Sequence, residues 1–200
     1  MKNKFKISLL FGLICAVFLS MFNFGVLCDD LRQNILRLHI IANSDSEADQ
    51  ELKLKIRDAI LSQTGDIFVN ADSLATAEEI TGENLDSFEK IANRVIKENG
   101  FDYTATASLG ECFFETRHYD GFSLPAGNYR SLIINLGEGK GKNWWCVIFP
   151  TICLPSASGD LRQSVNEKSA HIAEHSERYI LRFKIVEIFE KINLKFSNFK

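Results

Sequence analysis

The sequence predicts an α+β fold: a single extracytoplasmic domain with a mostly antiparallel sheet covered by helices, preceded by an N-terminal transmembrane or signal helix. Three observations carry this expectation. A charge-free run from Ile7 to Cys28 opens the chain, two later stretches repeat apolar residues at helical spacing, and consecutive strand-like stretches follow one another with no helix between them.

Lys2, Lys4 and Lys6 precede the apolar run, and Asp29 and Asp30 follow it. The twenty-two residues from Ile7 to Cys28 would rise about 33 Å as a helix, enough for a hydrocarbon core of about 30 Å. The lysines hold the N-terminal side in the cytoplasm, so the bulk of the chain is exported. Between Ser20 and Asp30 there is no convincing small-x-small cleavage site, which favours an uncleaved anchor over a signal peptide. Bulky Leu27 directly before Cys28 argues against a lipoprotein site. Residues 1–28 are therefore read as signal peptide or membrane anchor, 29–154 as the core domain, 155–176 as a polar linker and 177–200 as a C-terminal helix. All three lysines discounted with the stub take the formal charge from −3 to −6, which makes nucleic acid a poor partner.

Asn34 to Ala42 is short and rich in branched residues, and reads as a buried strand ending at Asn43-Ser44-Asp45-Ser46. A helix follows at once. Ser46 is its cap, Asp49 stands in the reciprocal capping position, and Leu52, Ile56, Ala59 and Ile60 share one face. Leu54 and Leu61 point elsewhere and are expected to pack in the core. Glu83 to Lys97 carries the clearest apolar stripe, Leu85, Phe88, Ile91, Ala92, Val95 and Ile96, and Asn99-Gly100 stops it. Strands are predicted at Tyr103–Leu109, Cys112–Tyr119, Tyr129–Leu136 and Trp144–Phe149, paired antiparallel because no helix separates them. Pro155 to Glu177 is polar and patternless, and a last helix from about Arg178 to Ile192 is apolar around most of its circumference. Such a helix is either deeply packed or docks a partner.

No motif in the chain carries chemistry convincingly. Gly137-Glu138-Gly139-Lys140-Gly141-Lys142-Asn143 fails as a phosphate loop, because Leu136 stands where the first glycine is required and Asn143 where Ser or Thr is. It reads as a flexible hairpin connection. His171, Glu174 and His175 match the inverted zinc-protease pattern, but that pattern draws a further ligand from downstream and only twenty-five residues remain. A zinc-dependent exported hydrolase is thus the alternative reading, and no metal or other cofactor is expected. His39, inside a strand, reads as a hydrogen-bonded structural residue. Trp144 and Trp145 fall on opposite faces of a strand, and the outward one suits a partner anchor. Cys112, Cys146 and Cys153 lie in the exported part, where one pair and one spare are expected. Six residues, Pro150 among them, separate Cys146 from Cys153, and these two are the predicted disulfide.

Two long runs resemble the stage II sporulation protein R family of endospore-forming bacteria. One is Leu36 to Ser46 with Asp49-Gln50, Leu52-Lys53 and Arg57-Asp58; the other is Leu124 to Arg130 continuing through Gly137 to Cys146, Phe149-Pro150 and Cys153. Thr151-Ile152 and Cys112 depart from the family pattern, and the His171–His175 cluster is no part of it. The resemblance implies a protein made in the forespore and exported into the space between forespore and mother-cell membranes. There it would trigger a membrane-bound aspartic protease of the mother cell that processes the precursor of sigma factor E. Such an activator needs no active site. Its partner-binding segments are expected on exposed turns: Asn43, Ser44 and Asp45; Asn128, Tyr129 and Arg130; and Gly139, Lys140, Lys142, Asn143, Trp144 and Trp145.

Overall fold

The computed structural model describes residues 2–68, 71–152 and 160–197. The fold is α+β, and its chain contacts divide into two units that interleave along the sequence. A sheet unit comprises Gln33–Phe113 and Asn128–Val165; a helical unit comprises Met1–Arg32, Phe114–Gly127 and Asn166–Lys200.

In the sheet unit, β1 (Leu36–Ile41) leads into α2 (Glu47–Ile67), α3 (Leu74–Glu83) and α4 (Leu85–Glu98), with α1 (Lys2–Gln33) ahead of it in the chain. Then come β2 (Ala105–Phe114), β5 (Gly127–Leu136) and β6 (Asn143–Phe149); β3 (Arg117–Tyr119) and β4 (Phe122–Leu124) lie between β2 and β5 in sequence. The strand order is β2-β5-β1-β6. β1 runs parallel to β5, with His39 opposite Ile133, and antiparallel to β6, with His39 opposite Trp145.

Side chains alternate across β1, so Leu36, Leu38 and Ile40 fall on one face and Arg37 and His39 on the other. The first face meets Leu132, Ile134 and Leu136 of β5, and the helices cover it with Leu52, Ile56 and Ile60 of α2 and Phe88, Ala92 and Ile96 of α4. Each fully buried side chain of this kind contributes roughly 1.5–3 kcal/mol. Leu61 is in this core as expected, and Leu54 is half-buried. Gly100, at φ +77°, ends α4 where a left-handed stop was read.

Four local expectations are revised. The Gly137–Asn143 segment is no hairpin, because β1 lies between β5 and β6 and the segment must cross its end. The strands read at Tyr103–Leu109 and Cys112–Tyr119 are mainly one, β2, with only Arg117–Tyr119 separate. α3 was not foreseen, since its fully buried positions are only Ala77 and Thr81, too small to make a stripe. The stretch read as a polar linker over 155–176 contains α5 (Glu167–Glu174), capped by the Asn166 side chain on the Ser169 amide. Residues 153–159, with Cys153 among them, lie outside the described residues.

In the helical unit, β3 and β4 form a two-stranded ribbon turning at Asp120-Gly121, where Gly121 has φ +83°. α5 packs on β4, and α6 (Ile180–Ser197) sets Phe183 against Phe24 of α1 with ring centroids 5.2 Å apart. α1 is long and apolar enough to cross a membrane.

Candidate functional site

β1 and β5 are parallel, so the turn after β1 and the loop after β5 emerge at the same end of the sheet. There they are joined by backbone bonds. The Ala42 carbonyl accepts from the Gly141 amide at 2.9 Å and the Asn43 carbonyl from the Lys140 amide at 3.1 Å. Side chains add two more: Asn43 Oδ1 accepts from the Glu138 amide at 2.9 Å, and Asp45 Oδ1 from the Lys142 amide at 2.7 Å. Two of the three expected partner segments are therefore one structural object. The third is elsewhere: Asn128 and Arg130 begin β5, about 20 Å of strand away from the loop.

The loop keeps this shape because its glycines cannot be replaced without collision. A Cβ at Gly141 would sit 2.2 Å from the Ser44 carbonyl oxygen, and Gly137 and Gly139 have φ of +53° and +61°. The segment read as flexible is tied along its length.

Beneath it lies a polar cluster centred on Asp49, which is 4% exposed. Its carboxylate accepts from Asn43 Nδ2 at 3.0 Å, from the Ser44 hydroxyl, and from the Tyr103 hydroxyl at 2.6 Å. Burial alone would raise the Asp49 carboxyl, but these hydrogen bonds outweigh it and hold it below the usual carboxylate range. Burial, and then the bond to Asp49, push the Tyr103 phenol up. Ser46 does cap α2, accepting from the Asp49 amide at 3.2 Å, but the Asp49 side chain faces this cluster. Lys53, also 4% exposed, donates to Gln50 Oε1 at 2.6 Å and to the Lys142 carbonyl at 2.9 Å. Burial lowers its pKa, with the Asp45 charge opposing.

What this platform presents outward is mixed charge. Asp45, Glu138, Lys140, Lys142 and Asn143 are exposed, and Lys140 pairs with Glu138 at 2.9 Å. Trp144, half-buried on the helix side, lies under the Arg57 guanidinium at 4.4 Å from its ring centroid. Trp145, on the opposite face, stacks on His39 at 3.9 Å. Tyr129 is buried at 1% exposure under Arg37, so its role here is packing, while Arg130 pairs with Glu78 at 2.6 Å.

Two histidine contacts have the look of catalytic pairs. His39 Nδ1 lies 3.4 Å from Cys112 Sγ, and His118 Nδ1 lies 2.8 Å from Ser123 Oγ, whose residue is buried at 2% exposure. Burial pushes the Cys112 thiol up and the His39 imidazole down, which favours the neutral pair over the thiolate–imidazolium form a nucleophile requires. His171 and His175 sit one turn apart with ring centroids at 4.5 Å. Among the described residues no group of three or more His, Cys, Asp or Glu side chains is placed to hold a metal ion. Sequence reading met Lys53 only within the family-like run and Tyr103 only as the start of a strand, with no site role for either, and took Asp49 for a capping residue. Only the short polar run Asn43–Ser46 before it hinted at more.

The profile of the stage II sporulation protein R family matches residues 32–159, which take in β1 through β6 and therefore the whole platform. The chain belongs to this family. Stage II sporulation protein R of Bacillus subtilis (strain 168) is 34% identical over 136 residues, covering 68% of this chain and 61% of that relative. The chain thus spans about three-fifths of the length of the relative it matches. No solved structure matches it. Membership in the family makes this a sporulation protein, and α5 and α6 lie outside the matched span.

Proposed function

We propose that the chain is an exported sporulation signal that acts by binding. It engages and activates a membrane-embedded aspartic protease of the mother cell, which then processes the sigma-E precursor, and it uses no cofactor, metal ion or nucleic acid to do so. Its place is the space between forespore and mother-cell membranes, reached through α1 as signal or anchor. The observation that supports binding is the platform itself: two loops locked together by four hydrogen bonds from backbone amides, displaying Asp45, Glu138, Lys140, Lys142 and Asn143. A surface fixed before contact loses little conformational freedom on docking. An activator must also bind the active form of its receptor more tightly than the inactive one, and a rigid charge pattern can make that distinction.

Co-expression of the full chain with the protease and the precursor in a non-sporulating host tests the reading by the shortening of the precursor. Asp45→Ala, or Lys140→Ala with Lys142→Ala, should lower processing severalfold in at least one case while the protein stays folded. Single replacement of His39, His118, His171, Glu174 or His175 in a folded protein should leave processing intact. The reverse pattern would replace the binding reading with an enzymatic one.

A further inference from the structure

Within the helical unit, α5 buries Ser169, Ala170, Ile172 and Ala173. On its outer side stand His171, exposed, and His175, whose side chain is 42% exposed. Residues four apart on a helix lie one above the other on the same face. The His175 amide donates to the His171 carbonyl at 3.0 Å, which closes the turn between them, and the two ring centroids are 4.5 Å apart. His39 is stacked on Trp145 and His118 is bonded to Ser123, so the other two histidines are engaged within the fold. The α5 pair faces solvent, where core packing does not account for it.

The spacing of the rings bears on what they can share. An imidazole nitrogen holds a late first-row divalent ion at about 2.0–2.1 Å, which puts the ion about 3.2 Å from the ring centroid. Two rings 4.5 Å apart then subtend about 90° at a common ion, the angle between neighbouring positions of a tetragonal or square-planar centre. A tetrahedral ion needs about 109°, and centroids about 5.2 Å apart. The local charge suits a cation as well. The pair stands at the C-terminal end of α5, the negative end of the helix dipole. Glu177 Oε1 lies 3.8 Å from His175 Nδ1, although Arg178 shares that carboxylate at 3.7 Å. With no third protein ligand in place among the described residues, this is an open chelate whose other positions fall to water, unlike a zinc-protease centre.

We propose that His171 and His175 together chelate one late first-row divalent metal ion, copper(II) in preference to zinc, on the surface of the helical unit. Copper(II) heads the affinity order of these ions and takes tetragonal nitrogen sites, so strength and angle favour the same metal. The site lies outside the span matched by the family and does not depend on the signalling reading.

The test uses the full chain, without a histidine tag, in detergent micelles and stripped with a chelator, and titrates it with copper(II) sulfate. Calorimetry should count one ion per chain, and electron paramagnetic resonance should show a tetragonal copper(II) signal with coupling to nitrogen. His171→Ala and His175→Ala should each weaken binding at least tenfold, with an unchanged circular dichroism melt to verify the fold. His118→Ala and Cys112→Ser should leave binding within twofold, and zinc sulfate should bind the native chain at least tenfold more weakly. Copper binding unaltered in either α5 variant, or lost in Cys112→Ser instead, would overturn the proposal. Zinc held as tightly as copper would overturn the choice of ion. Precursor processing in the co-expression assay separates this proposal from the signalling one. Loss of copper binding in His171→Ala with processing intact is the expected combination, whereas loss of both would keep the metal site and sink metal-free signalling.

Discussion

At Asp49 the side chains of Asn43, Ser44 and Tyr103 converge on one buried carboxylate, and its charge is what they recognise. Because its folded pKa lies below the unfolded value, its contribution to stability is complete above about pH 4, where the unfolded carboxyl has ionised, and fades as pH falls through the folded value. The stability gap between the native protein and Asp49→Asn, from urea unfolding, should be widest at neutral pH and close as the medium is acidified below that point. A gap independent of pH would refute the role. Gly141 makes a second, steric prediction. Gly141→Ala forces a methyl group onto the Ser44 carbonyl and should cost about 1–3 kcal/mol, whereas Gly82→Ala, exposed in α3 with nothing within 4 Å, should be neutral or stabilising in the same assay. Ser46 as a helix cap was legible in the sequence because capping is a local matter settled within three residues. Tyr103 was not, since it reaches Asp49 from 54 positions away and no spacing rule spans that distance.

Among elements, strands and helices with large apolar side chains were readable, and those that pack through small ones were not. α4 shows its stripe openly, with Phe88, Ile91, Val95 and Ile96. α5 buries Ser169, Ala170, Ile172 and Ala173, of which only Ile172 registers as hydrophobic bulk, so its stretch passed for linker. The connection from β5 to β6 was misread for a different reason: nearness in sequence suggests a hairpin, but the insertion of β1 between the two strands is decided by tertiary pairing. β6 also bears on the proposed disulfide. Cys146 is buried on the strand, while Cys15, Cys28 and Cys112 are free thiols. A Cys146–Cys153 bond would close a loop of eight residues and stabilise by about 2.5 kcal/mol on the chain-entropy estimate. Mass spectrometry without reduction should find that linked peptide with Cys112 unlinked, and Cys153→Ser should lower the urea midpoint accordingly. A peptide linked through Cys112 would contradict it.

For the whole molecule, the anchor-like start and the α+β class were plain from composition and period, and the division into two interleaved units was not, because the helical unit is assembled from three separate stretches of chain. A reporter that functions only outside the cytoplasm, fused after Asp30, should be active; activity confined to a cytoplasmic reporter at the same position would reverse the topology. The position of β1 at the centre of the sheet has a consequence for the timing of such an export. Arg37 is paired with Ser131 on one side and Val147 on the other. On the proposed route the strand that nucleates neither edge emerges first, and closing so long a loop must precede the contacts that reward it. On that route β1 meets its first partner strand only once β5 has followed it across, so the middle of the sheet stays unpaired until most of the unit has passed.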